Sequence, residues 1–423
     1  MTDNPEAQDA NAGISVIAPI PRVAIHVFCE SPSLAGMVEN AAADRRMQKA
    51  HVVIRMGGVR AALAAYREEQ TPEVIVLEAG GDSGLFLDDL DGLAEFCDDG
   101  ARVLVLGRIN DIKLYRALMA RGISEYLVEP FNVLDFVRAI SELFAKPGGN
   151  PLGRMIAVYG AKGGVGASTV AHHLSWSIAN SLDMAVILVD LDLPFGTAGL
   201  NFNHDPLQGI AEAVFSPDRL DTNMLDRLMT KCADRLSLLA APATLGRNYD
   251  FNEEAFDGVM ELLRGAAPVV VLDIPHMWTA WVRRLLLNVD ELVLVAEPDL
   301  ANLRNVKNVL DLLGPARSND AKTKLVMSRV GVPKRPEIGL KEFTTSINLT
   351  SSCVVPFDPK LFGEAANFGR MVGEINGGVK FAELFLNLGR SLTGRPELQT
   401  SKKGSLIAGL KATKLPFKLS RKS

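Results

Sequence analysis

Residues 155–179 read MIAVYGAKGGVGASTVAHHLSWSIA. An aliphatic run suits a buried strand, a glycine-rich turn follows, and the stretch after it carries apolar residues at helical spacing. Strand, glycine turn and helix in that order let backbone N–H groups curl into an anion nest, backed by the positive end of the helix. The spelling departs from G-x-x-x-x-G-K-[ST] at Ala161 and Ala167, and satisfies K-G-G-x-G-x-[ST] through Lys162, Gly163, Gly164, Val165, Gly166 and Ser168. The candidate phosphate-binding residues are therefore Gly163, Gly164, Val165, Gly166, Ala167, Ser168 and Thr169, with the Ser168 hydroxyl also suited to Mg2+. Alanine at 167 forgoes one charge-assisted contact worth about 1.5–3 kcal/mol, roughly ten- to more than a hundredfold in affinity. It also removes a cation that would stabilise charge in phosphoryl transfer. A nucleotide should still bind, with slow hydrolysis or none.

Two carboxylate motifs follow. VDLDLPFGTAG (189–199) closes an apolar run with Asp190 and Asp192, and VVVLDIP (269–275) closes another with Asp273. An aspartate ending such a run is by itself a common cap or turn residue; three in this order after the glycine loop form a combined signal. With them the chain resembles the ParA/MinD group of P-loop ATPases. The resemblance implies ATP with Mg2+, held at Ser168, Asp190 and Asp273, and a two-fold homodimer in which Lys162 reaches the partner's phosphates. It makes Lys162 and Asp192 the candidate catalytic residues, Asp192 positioning the attacking water. Nitrogenase-type iron proteins share the loop, but Cys232 and Cys353 lie in no recognisable cluster motif.

DLDLPFGTAG (190–199), LDIPHMWTAW (272–281), AEPDLANLRNVKN (296–308), SRVGVPKRPEI (328–338) and VPFDPKLFGEAANFG (355–369) together resemble the CpaE/TadZ branch. These are assembly proteins of Flp, or tight-adherence, pili, which join an atypical receiver to a degenerate ParA/MinD-like ATPase. The resemblance implies a localisation factor at the cell pole, on the cytoplasmic face of the inner membrane, with pilus-assembly and secretion-machinery proteins as partners. It also puts Arg329 and Pro356 at the base, with Ser328 where relatives often carry asparagine. His276 and Trp278 fall where a switch segment would lie, to sense nucleotide state or to pack in the core. His172 and His173, with no paired ligand nearby, read as ordinary helix residues. The helix opened by Asp299 and closed by Gly314 carries the stripe Leu300, Leu303, Val306, Leu310 and Leu313, for sheet packing or a partner.

Upstream, RVAIHVF (22–28), HVVIRM (51–56), EVIVLEA (73–79), RVLVLG (102–107) and EYLV (125–128) alternate with helical patterns. One of these, 111–122, places Ile112, Tyr115, Leu118 and Met119 on a stripe ending at Gly122. This alternation and EYLVEPF (125–131) resemble the receiver of two-component response regulators, a flavodoxin-like fold. The expected acids, phospho-accepting aspartate, hydroxyl and lysine are replaced by Cys29-Glu30, Glu78, Gly107-Arg108 and Glu129-Pro130. Glu30 alone would hold Mg2+ weakly, Glu78 is no aspartate acceptor, and Glu129 reverses a needed charge. The reading is a pseudo-receiver used for docking or dimer contact; a residual phosphorylation switch and an unrelated small α/β domain stay open.

The fold class expected is thus α/β, two doubly wound parallel-sheet domains, receiver-like then ParA/MinD-like. The divisions are a disordered arm over 1–21, the pseudo-receiver over 22–146, a Pro/Gly linker over 147–153, the ATPase domain over 154–395 and a basic tail over 396–423. The chain has 423 residues, 48% hydrophobic and 22% charged, as in ordinary globular material. Its four cysteines show no C-x-x-C spacing, which fits reduced thiols in a cytoplasmic protein. The N-terminus lacks a signal-peptide pattern, and no apolar run approaches the ~20 residues that span a bilayer. Seven positive charges and no acid in 398–423, against −5 for the whole chain, leave −12 on the other 397 residues. That argues against a partitioning ATPase gripping nonspecific DNA, and no specific nucleic acid is expected. The tail reads as a solvated segment or as a peripheral electrostatic contact with the inner membrane.

Overall fold

The structure is a computed structural model that describes residues 16–145 and 151–395, apart from positions 82, 99, 205 and 207. Both the proposed membrane-contacting tail and most of the expected N-terminal arm lie outside the described residues. The last part of that arm is a correction: Ile17 and Ile20 are buried, and Ile20 donates its N–H to the carbonyl of Arg46 at 2.8 Å.

The first sheet has strands β1 (Ala24–Cys29), β2 (His51–Met56), β3 (Val74–Glu78), β4 (Arg102–Gly107) and β5 (Glu125–Val128). Its order is β2-β1-β3-β4-β5, all parallel. β3 is buried along its whole length, as an aliphatic run covered on both faces must be. The expected stripe on the helix Ile112–Ala120 is only partly used: Leu118 is buried, whereas Ile112 and Tyr115 are exposed.

The second sheet has strands β6 (Arg154–Gly160), β7 (Val186–Asp190), β8 (Thr230–Ala233), β9 (Leu236–Leu239), β10 (Val269–Ile274), β11 (Glu291–Ala296), β12 (Lys324–Val330) and β13 (Ser351–Pro356). The order is β13-β12-β11-β6-β10-β7-β9-β8. β8, absent from the sequence reading, is an antiparallel edge strand on β9; every other pairing is parallel. β6 lies between β10 and β11, where the chain stops building towards β7 and continues to the other side. Ligands in open α/β sheets bind outside the carboxyl ends of the strands at such a switch point. Two apolar cores lie on the two faces of this sheet.

The two α/β units touch through buried charge. Asp320 receives the guanidinium of Arg45 at 2.8 Å and that of Arg317 at 3.1 Å, and also pairs with Arg46. Arg45 further donates to the carbonyl of Asn288 at 3.1 Å, and the Asn319 amide donates to Asp44 at 3.0 Å. This contact sits at the amino ends of β6, β11 and β12. The site described next lies at their carboxyl ends, roughly 20 Å away for a seven-residue strand.

Candidate functional site

The glycine loop leaves β6 and enters the helix Ala167–Ser181. Gly164 (φ 80°) and Gly166 (φ 89°) hold the left-handed conformation that turns successive N–H groups to one side. Ala161 and Val165 are buried and anchor the loop, whereas Lys162, Gly163 and Gly164 are exposed. Gly166 caps the helix without a side-chain hydrogen bond, so the first-turn N–H groups keep the orphan character of a helix start. The carbonyls behind the loop are tied down. His276 donates from Nδ1 to Gly160 O at 2.9 Å, and the Asn305 amide donates to Ala161 O at 2.8 Å.

Three of the predicted metal-side residues converge. Ser168 Oγ donates to Asp273 Oδ1 at 3.2 Å. Asp273 and Asp190 are register partners on β10 and β7, and both are buried. Burial first, and the Asp273 charge second, push the Asp190 carboxyl up to about 7. Its oxygens accept the N–H groups of Ala198 at 3.0 Å and Asp192 at 3.1 Å. Asp192 is half-buried and accepts Phe195 N–H at 3.2 Å; burial raises its pKa. Two adjacent buried carboxylates, one of them holding a serine hydroxyl, beside a nest of N–H groups are the donor set that magnesium with a polyphosphate calls for. Magnesium is commonly held by one or two carboxylates plus phosphate oxygens rather than by an all-protein cage. Among the described residues, no group of three or more His, Cys, Asp or Glu could form such a cage.

At the end of β12, where the sequence placed the base contacts, the strand breaks register between Met327 and Val330, and Arg329 has φ 50°. A bulge of this kind re-aims side chains at the end of a strand. Ser328 is buried with its hydroxyl beside the loop, 3.4 Å from where a Cβ on Gly166 would stand. Arg329 pairs with Glu297 at 3.2 Å, braced by Arg335 on the same carboxylate. Pro356 ends the adjacent strand opposite Val330. Lys162 does not point into its own loop: Nζ lies 3.5 Å from Asp299 Oδ2.

One side chain, His172, was misjudged from sequence. His172 does face a partner, since Nε2 lies 3.2 Å from Asp273 Oδ2. Its spacing of four from Ser168 places the two on one helix face, a signal that was readable. His173 is a fold residue: Nδ1 donates to Thr169 O at 2.7 Å, Nε2 accepts Val372 N–H at 3.1 Å, and burial pushes it down to about 4. His276 and Trp278 are not core residues. Both are exposed at the rim of a cavity of about 420 Å³ with Tyr159, Asn305, Val309 and Leu312.

In the first unit the Glu78 carboxylate is already engaged by the fold. It accepts Glu30 N–H at 2.7 Å, Ser31 N–H at 2.9 Å and the Ser31 hydroxyl at 2.8 Å. Arg108 and Glu129 neutralise one another at 3.1 Å.

The family model for the cellulose biosynthesis protein BcsQ matches residues 154–309. The septum site-determining protein MinD of Synechocystis sp. is 28% identical over 191 residues, 44% of this chain and 67% of its own. A structure of MinD from Pyrococcus horikoshii complexed with Mg-ADP is similar at 20% identity, covering 57% of this chain and 96% of that one, with a TM-score of 0.49. A crystal structure of pilus assembly protein CpaE from Caulobacter crescentus is 44% identical, covering 31% of this chain and 100% of that one, with a TM-score of 0.30. Sequence identity at that level over the whole of the Caulobacter chain, with the loop and carboxylates described above, shows that the chain belongs to the CpaE-like group of ParA/MinD P-loop ATPases.

Proposed function

We propose that this chain is a nucleotide-dependent localisation factor for Flp-type pilus assembly, acting as an ATP-bound dimer with weak or no hydrolysis. The observation that carries the reading is a division within one site. The N–H cradle and the Ser168–Asp273 pair are in place, while the position that would supply the catalytic cation is Ala167. The amides of 163–169 would hold the phosphates. Ser168, Asp190 and Asp273 would hold magnesium, which when bound neutralises phosphate charge and favours the ionised form of Asp190. Asp192, beside that pair, would orient water. Ser328, Arg329 and Pro356 would frame the base. Binding without rapid turnover suits a positional timer at the pole, with pilus-assembly proteins as its cargo.

Lys162 is solvent-accessible and, among the described residues, pairs only with the partly exposed Asp299, so exchanging that partner for a phosphate across a two-fold axis costs little. Light scattering of the full chain with ATP, ADP or no nucleotide, on wild type and Lys162→Ala, tests the reading. An ATP-dependent dimer lost in the variant is expected. The same mass in all six samples contradicts it.

A further inference from the structure

His172 is buried to 1% exposure one helical turn after Ser168, and phosphate-loop chemistry has no evident need of it. Its Nδ1 lies 2.9 Å from the side-chain nitrogen of Asn201. An amide N–H only donates, so Nδ1 accepts and the ring proton sits on Nε2. That Nε2 faces Asp273 Oδ2 at 3.2 Å, off the line of a full hydrogen bond, and has no other partner among the described residues. The Phe202 ring flanks the imidazole at 5.8 Å. Asn201 closes the short helix Ala198–Asn201, whose first N–H is held by Asp190. The contacts thus form a circuit: Ser168 to Asp273, Asp273 to His172, His172 to Asn201, and back through Ala198 to Asp190. It ties the candidate magnesium carboxylates to the segment that follows Asp192. A buried donor left short of a full bond is costly to keep, and here it is aimed at a carboxylate whose other oxygen holds the Ser168 hydroxyl.

Resting on the function proposed above, we infer that His172 is a positioning residue: it orients Asp273 towards magnesium from behind and links that carboxylate to the 198–201 segment through Asn201. Groups standing one shell behind a metal ligand typically change metal affinity by roughly ten- to a hundredfold when removed. Binding of a fluorescent ADP analogue to the full chain, without magnesium (EDTA) and over a magnesium series, separates this role from a merely structural one. In His172→Ala, magnesium-free affinity stays within about twofold of wild type, while the magnesium concentration needed for half-maximal tightening rises roughly tenfold. His172→Gln, which can present an amide N–H in place of Nε2, recovers most of the loss. Asn201→Ala, which frees the tautomer, moves magnesium dependence in the same direction as His172→Ala. Identical magnesium curves in wild type and all three variants overturn the inference. So does a loss in His172→Ala that is equal with and without magnesium and accompanied by a lowered melting temperature, since that marks a packing residue. Wild type that binds no ADP at any magnesium concentration instead removes the nucleotide function itself, and this inference with it.

Discussion

Replacing Ala167 with lysine restores the one side chain that a complete phosphate loop would carry, on a helix start whose backbone already suits it. If the amides grip the phosphates, Ala167→Lys gains the missing charge-assisted contact, and MgATP affinity rises roughly ten- to a hundredfold by equilibrium binding. Unchanged affinity would mean that the phosphates do not sit where the loop directs them. The glycines, Ser168 and the three aspartates were legible because phosphate chemistry restricts residue type and order together. His172 was not recognised because histidine is common in helices, and its partner Asp273 lies 101 positions away. The four-residue spacing from Ser168 put it on the face of the loop, but its approach to 3.2 Å from Asp273 depends on where β10 lies in the sheet.

The helix Leu300–Leu313 shows what capping chemistry can and cannot tell. Asp299 accepts Asn302 N–H at 2.8 Å, and Gly314 closes the helix, as read from sequence. The stripe was less accurate: Val306 and Leu313 are buried, but Leu300 is exposed. Its position in the first turn, beyond the edge of the sheet-facing side, accounts for the difference. Asp299→Ala should lower stability by about 0.5–2 kcal/mol through the lost cap, read as a fall in the denaturant midpoint with an unchanged slope. No change in midpoint would mean that the cap is not holding that helix. The edge strand β8 escaped detection for a different reason. TKCA is four residues long with a lysine in it, and only the adjoining LSLL of β9 gives it a register.

At the largest scale, the contact between the two units had no sequence signature, since Arg45 and Asp320 are 275 positions apart. Asp320 is nearly inaccessible and serves three guanidiniums. Removing one partner of a buried ion pair leaves uncompensated charge, so Asp320→Ala should cost about 3–5 kcal/mol. Calorimetry should then resolve two transitions where wild type gives one; a single unshifted transition would show that the network does not join the units. The same region carries a pH dependence. Glu291 is buried beside Arg154, with an Oε2 that has no hydrogen-bond partner among the described residues, and burial pushes it up to about 7 despite Arg154, Lys324 and Arg317; Asp290 adds to the rise. Its folded pKa exceeds the unfolded value, so the proton favours folding. That contribution is fully present below about 4.5 and is lost as pH rises through about 7. Glu291→Gln should therefore gain stability relative to wild type between pH 5 and 8, by roughly 1.4 kcal/mol for each unit of the shift. A difference independent of pH would refute the assignment.

The docking of the first unit at the amino ends of the strands leaves the phosphate loop open at the other end. This arrangement leaves that face open for the dimer proposed above, with the N-terminal units on its outer sides. Whether the site is used depends on one property, the capacity of backbone amides to hold a polyphosphate without the usual lysine. Isothermal titration of ATP into the full chain, with and without magnesium, measures that directly. Saturable, magnesium-dependent uptake of one ATP per chain is predicted; no detectable binding at millimolar ATP would contradict it.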